Sequence, residues 1–185
     1  MEHRSMDHVM TIHEGDTSEP RSDLDLPLVI ILDRLRSAYN VGNVFRIAEA
    51  VRAREIISCG YTATPPHPKL EKTARGCDVL VPSRNLPTAW KAVGELQCAG
   101  YNVFAVDTAE SAVLYHACTL PFPLALVFGN EALGVSPEVL AICDGVICLP
   151  ALGCKNSINV GNCAAVCMFE ALRQWRGEER EGTET

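Results

Sequence analysis

The sequence predicts an α/β protein in which helices cover both faces of a mostly parallel, six-stranded sheet. Short runs of apolar and β-branched residues alternate along the chain with stretches of helical periodicity. Most of these runs are apolar at nearly every position, which is typical of strands buried on both faces of a parallel sheet. The chain has 185 residues, of which 48% are hydrophobic, and is therefore long enough for one domain with its own core.

The boundaries of these elements follow from the spacing of apolar residues. Val44, Ile47 and Val51 predict one face of a first helix over 41–53. A proline-rich loop separates the second strand from a basic segment, Lys69–Arg75. The predicted strands are Leu28–Asp33, Glu55–Cys59, Val79–Val81, Asn102–Val106, Ala125–Phe128 and Val146–Leu149. The later predicted helices are Leu86–Gln97, Pro137–Cys143 and Ile158–Trp175.

The net charge of −7 is concentrated at the two ends of the chain. Residues 1–26 and 177–185 are acidic and lack periodic apolar residues, so we expect mobile acidic segments on either side of a domain at 27–176. Within this domain, most Lys and Arg residues fall between Arg34 and Lys91. This clustering is compatible with binding a polyanion, although charge alone fits a solvated surface better.

The cysteines and the N-terminus predict a cytoplasmic protein. Most of the nine cysteines lie in apolar runs and no Cys-x-x-Cys pair occurs, which favours reduced core thiols over disulfides or a metal site. The first ten residues are polar and acidic, unlike a signal peptide. No apolar run reaches the length of a membrane span, so we expect no membrane contact.

A first cluster of polar residues opens the first predicted helix. Asn40 is a candidate helix cap, Gly42 allows a backbone or a ligand to approach closely, and Arg46 follows further along the helix. Asn43 and Arg46 lie on a face distinct from the apolar one. An ordinary capped helix with one exposed arginine fits this pattern equally well.

Two further clusters follow the strands near the C-terminus. Gly129, Glu131 and Gly134 come directly after an apolar strand, and the segment Pro150–Asn159 leads into the last helix. Carboxyl ends of strands and helix N–H groups converge where open α/β sheets bind ligands, so we expect one shared pocket. A simple turn after Phe128, or an N-cap at Ser157, would also explain these residues.

Together the three clusters resemble the SpoU (TrmH-like) family of the SPOUT superfamily of RNA methyltransferases, over about residues 28–175. Ile158 replaces a usual Leu of the family, and Gly161 stands where a second Ser is common. The segment 72–76 is similar to a family loop between strands. The residues that match the three family motifs are Asn40, Gly42 and Arg46; Gly129, Glu131 and Gly134; and Pro150, Gly153, Ser157, Asn159 and Val160.

The resemblance implies properties that periodicity does not show. It implies the SPOUT α/β-knot, in which the C-terminal strand, loop and helix form a trefoil knot, and S-adenosylmethionine bound in that knot. It implies methyl transfer to a ribose 2′-hydroxyl of tRNA or ribosomal RNA, by a homodimer in which the neighbouring subunit completes each pocket. The apolar faces of the last helix suit a dimer interface, although packing within a knot would give the same composition.

The resemblance also implies roles for individual residues. Arg46 would act as a cation that stabilises developing alkoxide charge and grips a phosphate, because a guanidinium stays protonated. Glu131 or solvent would accept the proton, Asn40 would position Arg46 or the ribose, and Ser157 and Asn159 would hold the phosphate or the cofactor. The residues expected to bind the cofactor are Val106, Gly129, Leu149, Gly153, Ser157 and Ile158. The residues expected to bind RNA are Arg34, Arg36, Lys69, Lys72, Arg75 and Arg84.

Other interpretations remain open from the sequence. A base methyltransferase of the same superfamily and a catalytically silent, knotted RNA-binding protein would share much of this pattern. A flavodoxin-like or dehydrogenase nucleotide binder is disfavoured, because no phosphate-binding glycine loop follows the first strand.

Overall fold

A seven-stranded sheet, in which all neighbouring strands are parallel, forms the centre of the protein. The computed structural model describes residues 26–154 and 157–182, with side chains up to residue 177. The predicted acidic segment 1–26 therefore lies almost wholly outside the described residues. The strands are β1 (Leu26–Asp33), β2 (Ala53–Cys59), β3 (Ser83–Leu86), β4 (Asn102–Val106), β5 (Val113–Leu114), β6 (Leu124–Phe128) and β7 (Gly145–Cys148). Their order in the sheet is β3-β2-β1-β6-β4-β7-β5.

Helices cover both faces of the sheet, as the sequence predicted. One apolar cluster joins the sheet to the first two helices and the last one, and a second cluster joins its other face to two shorter helices. The helices are α1 (Ala38–Ala50), α2 (Pro68–Ala74), α3 (Cys77–Leu80), α4 (Ala89–Cys98), α5 (Pro137–Leu140) and α6 (Val160–Gly182).

Strand β1 shows why the central strands are apolar at almost every position. Ile30 packs into the cluster on one face, and its neighbour Ile31 packs into the cluster on the other. Successive side chains of a strand point to opposite faces, so a strand covered on both sides needs apolar residues throughout. Burial of each such side chain contributes about 1.5–3 kcal/mol to folding.

Several helix bounds differ from the predicted ones, since α1 ends at Ala50 and not at 53, and α4 begins at Ala89 and not at Leu86. Two predictions about which elements are present also differ from the structure. The predicted strand Val79–Val81 is wrong: residues Cys77–Leu80 form α3, and the strand follows as β3. Val79 is 85% exposed, so its apolar side chain does not mark a buried strand. The seventh strand, β5, is only two residues long and too short to recognise from periodicity.

The last helix is longer than predicted. It begins at Val160 rather than Ile158 and its backbone continues past Trp175 to Gly182, into the predicted acidic tail. Ala164, Met168 and Ala171 are buried in the cluster that α6 shares with α1 and β1. The trefoil knot stays a prediction that follows from the family resemblance.

Gly42 lets α2 pack closely against α1. A Cβ atom at this position would overlap Thr73 Oγ1 and lie 2.6 Å from the Leu70 carbonyl oxygen. Thr73 Oγ1 donates a hydrogen bond to that same carbonyl over 3.1 Å, which fixes the obstacle in place. The close approach predicted for this glycine is therefore made by a neighbouring helix of the same chain.

We expect Gly42→Ala to lower the free energy of unfolding by about 1–3 kcal/mol, because backbone atoms of α2 cannot move aside cheaply. Gly94 in α4 is a matched control, since an added Cβ there meets no atom within 4 Å. Gly94→Ala should instead stabilise by about 0.5–1 kcal/mol through better helix propensity. Urea denaturation measures the free energy of unfolding of both variants. Equal effects at the two sites would contradict this account of Gly42.

Candidate active site

A cavity of about 460 Å³ lies at the carboxyl ends of β4, β6 and β7. Its volume is in the range of small-molecule sites, and its position is where parallel α/β sheets bind ligands. Three loops and the start of α6 form its walls. The lining residues are 106–108, 128–134, 148, 149, 151, 157–160 and 163.

The cavity brings together most of the residues predicted to bind a cofactor. Val106, Gly129, Leu149, Ser157 and Ile158 all line it, and these residues come from distant parts of the chain. Gly153 is the exception: it is exposed, and a Cβ added there would meet no atom within 4 Å. Gly153 is thus exposed and is not among the residues that line the cavity.

The loop after β6 is closed by its own backbone. Asn130 and Gly134 exchange two hydrogen bonds of 2.9 and 2.8 Å. The Asn130 side chain, only 4% exposed, accepts hydrogen bonds from the N–H groups of Ala132 and Leu133. A side chain at Gly129 would overlap the backbone of Gly134, so this glycine is required by the fold of the loop.

Two carboxylates at the ends of β1 and β4, the strands on either side of β6, hold the far side of this loop. Asp107, directly after β4, accepts a hydrogen bond from the N–H of Val135 over 2.7 Å. Asp33, the buried last residue of β1, accepts one from the N–H of Ser136 over 2.9 Å. Asp33, Asp107 and Asn130 were not among the site residues predicted from the sequence. The available signal was a polar residue placed directly at or after the end of a buried strand.

One chain of hydrogen bonds joins the three motif clusters at the edge of the cavity. Asn40 Nδ2 donates to Glu131 Oε1 over 3.0 Å, and Asn159 Nδ2 donates to Asn40 Oδ1 over 3.2 Å. Asn159 Oδ1 in turn accepts from the N–H of Gly161 over 2.9 Å, and so caps α6. The cap of the last helix is therefore Asn159, whereas Ser157 is exposed and lines the cavity.

Glu131 also binds the backbone that leads into α1. Its carboxylate accepts hydrogen bonds from the N–H groups of Arg36 over 2.8 Å and Ser37 over 3.1 Å. Ser37 is the N-cap of α1, so the prediction that Asn40 caps this helix is wrong. Asn40 lies inside the first turn because Ser37 already supplies the capping oxygen, which leaves the Asn40 side chain available to bind Glu131.

The environment of Glu131 favours its charged form. Partial burial raises the pKa of this carboxyl, but the hydrogen bonds from Arg36, Asn40 and Ser37 outweigh burial and lower the pKa below its ordinary value. The nearby N-terminus of α1 carries partial positive charge, which also suits a carboxylate. A carboxylate held in this way is a weak proton acceptor.

Arg46 lies further along α1 than Asn40. Its side chain is exposed, and among the described residues those that line the cavity do not include Arg46. Asn40 is not a lining residue either, but its side chain is bonded to two residues that are, Glu131 and Asn159. Within this chain, the first motif therefore reaches the cavity through Asn40.

The predicted RNA-binding residues differ in how available their charges are. Arg84 donates to Glu55 over 2.9 Å and to Glu95 over 2.7 Å, so its charge is compensated within the protein. Arg34 pairs with a single carboxylate, Asp33, over 3.1 Å, and its side chain is 35% exposed, against 38% for Arg84. The exposed members of the predicted set are Arg36, Lys69, Lys72 and Arg75.

The cysteines are present as free thiols, and the described residues show neither a metal-binding cluster nor a membrane-spanning helix. All nine cysteines are free, and Cys148 and Cys163 line the cavity. Within 26–154 and 157–182, no cluster of three or more histidine, cysteine or carboxylate side chains is arranged to hold a metal ion. In the same part of the chain, no helix combines the length and the apolarity that crossing a bilayer requires.

Comparison with known proteins identifies the class to which this fold and site belong. Residues 27–169 match the model of the SpoU rRNA Methylase family, so the chain belongs to that family. This confirms the resemblance that the three motif clusters predicted.

Two sequence relatives are named for methyl transfer to RNA. The tRNA (guanosine(18)-2′-O)-methyltransferase of Thermus thermophilus is 33% identical over 147 residues, covering 80% of this chain and 75% of that protein. The 23S rRNA (guanosine-2′-O-)-methyltransferase RlmB of Shewanella oneidensis is 34% identical over 170 residues, covering 88% of this chain and 66% of that protein.

One solved relative contains the expected cofactor. The SpoU methyltransferase AviRb of Streptomyces viridochromogenes, solved in complex with AdoMet, superposes with a TM-score of 0.72 and is 27% identical. The match covers 84% of this chain and 63% of that chain. The predicted class, a parallel α/β sheet with helices on both faces, is thereby confirmed, with seven strands in place of the six predicted.

We expect Glu131→Gln to lower the melting temperature at neutral pH by about 2–4 °C, because a charged acceptor of three hydrogen bonds is lost. The folded state lowers the pKa of Glu131, so its stabilisation is present above the unfolded pKa of about 4.3 and is lost as pH falls through the folded value. The difference between variant and wild type should therefore shrink on acidification. Melting curves from pH 7 to strongly acidic pH measure it, with the exposed Glu110→Gln as control. A difference that persists below the folded pKa would contradict the charge-based account.

Proposed function

We propose that this protein is an S-adenosylmethionine-dependent methyltransferase that modifies a ribose 2′-hydroxyl of tRNA or ribosomal RNA. The observation that carries the proposal is the hydrogen-bond chain Glu131–Asn40–Asn159, which joins all three family motifs at one cavity. Membership of the SpoU family, relatives named for guanosine 2′-O-methylation and a solved relative with AdoMet support it.

The cavity fits S-adenosylmethionine in size and in the nature of its walls. Its floor and sides combine apolar residues with backbone of the loops after β6 and β7, which suits an adenosine. Val106, Gly129, Leu149 and Ile158 would surround the adenosine, and Ser157 would hold a polar group of the cofactor. When bound, the cofactor supplies an activated methyl group. The protein then has to align the ribose with it and to help the hydroxyl lose its proton.

Glu131 and Asn40 act as positioning residues in this proposal. The carboxylate of Glu131 is committed to the backbone before α1 and to Asn40, and its lowered pKa makes it a poor base. Of the two proton acceptors considered, Glu131 and solvent, we therefore favour solvent. Asn40 and Asn159 keep the start of α1 and the start of α6 in a fixed relation, which places the ribose relative to the cofactor.

Arg46 supplies positive charge in this proposal. A guanidinium remains protonated in proteins, so it stabilises the developing alkoxide and binds the neighbouring phosphate rather than taking a proton. Arg46 is exposed and does not line the cavity of its own subunit. This separation supports a homodimer in which each pocket is completed by the neighbouring subunit.

The described part of α6 offers an apolar surface for such a dimer. Val166 and Phe169 are 38% and 52% exposed, while Ala164, Cys167 and Met168 are buried within the subunit. We further propose that 27–176 is the methyltransferase domain and that it acts in the cytoplasm, where tRNA and ribosomes are found.

We expect Arg46→Ala to reduce methylation at least about 100-fold, because charge stabilisation at the reacting oxygen is lost. Affinity for S-adenosylmethionine should stay within about twofold, since Arg46 is outside the cavity wall. Methylation is measured as the transfer of radiolabelled methyl groups to total RNA from a strain that lacks the protein. Affinity for S-adenosylmethionine is measured by calorimetry. Nuclease-resistant dinucleotides in the product identify ribose as the acceptor.

A matched control for this experiment is Lys91→Ala, which removes an exposed cation from α4 on the other face of the sheet. Equal loss of methylation and cofactor affinity in Arg46→Ala would contradict the assigned role. Wild-type protein that binds no S-adenosylmethionine would instead indicate a catalytically silent RNA-binding protein.

The pairing of Arg84 leads to a separate prediction about RNA binding. Lys72→Ala should make the dependence of log Kd on log salt concentration less steep by about one, because one phosphate contact is lost. Arg84→Ala should leave that dependence unchanged, since Glu55 and Glu95 already compensate its charge. Titration of a fluorescent tRNA transcript at several salt concentrations measures the salt dependence of Kd for both variants. An equal change in the two variants would contradict this distinction.

A further inference from the structure

Tyr61 combines a fixed position with an exposed ring. It follows β2, and 62% of the residue is accessible to solvent. Its hydroxyl oxygen accepts a hydrogen bond from Asn130 Nδ2 over 2.9 Å. Asn130 is 4% exposed and lines the cavity, so the tyrosine is tied directly to the wall of the proposed active site.

The backbone on either side of Tyr61 is also fixed. The N–H of Gly60 donates to the Leu86 carbonyl of β3 over 3.1 Å. The buried Thr62 hydroxyl accepts from the N–H of Leu35 over 2.9 Å and donates to the Leu32 carbonyl over 3.1 Å. The ring is therefore anchored at its hydroxyl and at both neighbouring residues, although its faces are largely open.

A cation lies beside this tyrosine. The Cγ atom of Arg34 is 3.0 Å from the place where a Cβ of Gly60 would be, so the Arg34 side chain crosses the residue next to Tyr61. Asp33 holds the Arg34 guanidinium over 3.1 Å, and 35% of the side chain remains exposed. Asn130 Nδ2 also donates to the Arg34 carbonyl over 2.8 Å, so one buried amide positions both residues.

Packing does not account for this arrangement. An isolated exposed aromatic residue is common on protein surfaces, but Tyr61 is also held at its hydroxyl and by hydrogen bonds of both neighbouring residues. Among the described residues, the ring contacts are Tyr115 with His116 and Phe122 with Trp175, and Tyr61 takes part in neither. A rigid aromatic face next to a cation is the combination that binds an unpaired nucleotide, with the base stacked on the ring and the phosphate near the charge.

We propose that Tyr61 and Arg34 form a subsite for an unpaired RNA nucleotide that neighbours the methylated one, with its base on Tyr61 and its phosphate at Arg34. This inference rests on the proposed function, because it assigns the subsite to the same RNA substrate. Preorganisation of the ring lowers the entropy lost on binding, so the contact strengthens RNA binding without contributing to the chemical step.

The test compares Tyr61→Ala with Tyr61→Phe and Tyr61→Trp. We expect Tyr61→Ala to raise KM for total RNA from a strain lacking the protein about 10-fold, with kcat and the Kd of S-adenosylmethionine within about twofold. The Phe and Trp variants keep an aromatic face and should recover most of this loss. Melting curves establish that each variant is folded.

Tyr101→Phe is a matched control for removal of a tyrosine hydroxyl. Tyr101 precedes β4 at the amino ends of the strands, whereas Tyr61 follows the carboxyl end of β2, and the Tyr101 hydroxyl accepts a hydrogen bond from Arg54 Nη1 over 3.0 Å. This variant should leave KM for RNA unchanged. If Tyr61→Phe loses as much as Tyr61→Ala, the hydroxyl bond to Asn130 matters instead of the ring, and the proposal is overturned.

A binding experiment separates this proposal from the enzymatic one. The probes are a fluorescein-labelled single-stranded RNA of about 12 nucleotides and a duplex of equal length. Tyr61→Ala should weaken binding of the single strand about 10-fold and of the duplex much less, because paired bases cannot stack on the ring. Arg34→Asn, chosen because asparagine tolerates the positive φ of 57° at this position, should weaken binding of both.

The possible results are distinguishable. If wild-type protein transfers no methyl group but single-strand binding depends on the Tyr61 ring, the subsite stands and the proposed function fails. If wild-type protein methylates RNA and Tyr61→Ala changes neither KM nor single-strand affinity, the subsite is refuted and the proposed function stands.

Discussion

The site depends on the hydrogen bonds of one carboxylate. Glu131 accepts from the backbone before α1 and from Asn40, and Asn40 is bonded to Asn159 at the start of α6. This arrangement connects the loop after β6 to two helices that are far apart in the sequence. A charged acceptor at a helix N-terminus gains from both the free N–H groups and the helix dipole. The bonds that lower the pKa of Glu131 therefore also tie the loop after β6 to the start of α1, and the separate Asn159–Asn40 bond links α1 to α6.

The walls of the cavity are shaped largely by backbone contacts. The loop after β6 closes on itself through Asn130 and Gly134, and Asp33 and Asp107 bind the residues that follow it. Such a loop is formed before any ligand arrives, because its polar groups already have partners within the protein. Preorganised walls reduce the entropy lost when a cofactor binds. The buried side-chain amide of Asn130 also donates hydrogen bonds to the Tyr61 hydroxyl and to the Arg34 carbonyl, and so fixes both residues relative to this loop.

Sequence patterns predicted the central strands better than the peripheral elements. Strands β1 and β6 were found because burial on both faces requires a continuous apolar run. The predicted strand Val79–Val81 was wrong, because a short apolar run at the edge of the molecule is exposed in α3. Gly153 was expected at the cofactor through its motif position, but it is exposed and is not among the residues that line the cavity. Arg84 was expected to bind RNA, but two carboxylates from β2 and α4 neutralise it, and their proximity is not visible in the sequence.

The sequence by itself determined the layered α/β architecture, the family and the identity of the motif residues. Local spacing is sufficient for these properties. The periodicity of apolar residues indicates which positions are buried, and the order of the motifs indicates the family. Only the tertiary structure decided which polar groups meet: Glu131 with Asn40, Asn40 with Asn159, and Tyr61 with Asn130. Each of these pairs is separated by many residues along the chain, and its geometry is set by how the strand ends and helix starts are packed together. Hydrogen bonding requires donor and acceptor within about 3 Å, and no local sequence pattern fixes a distance of that kind across the fold.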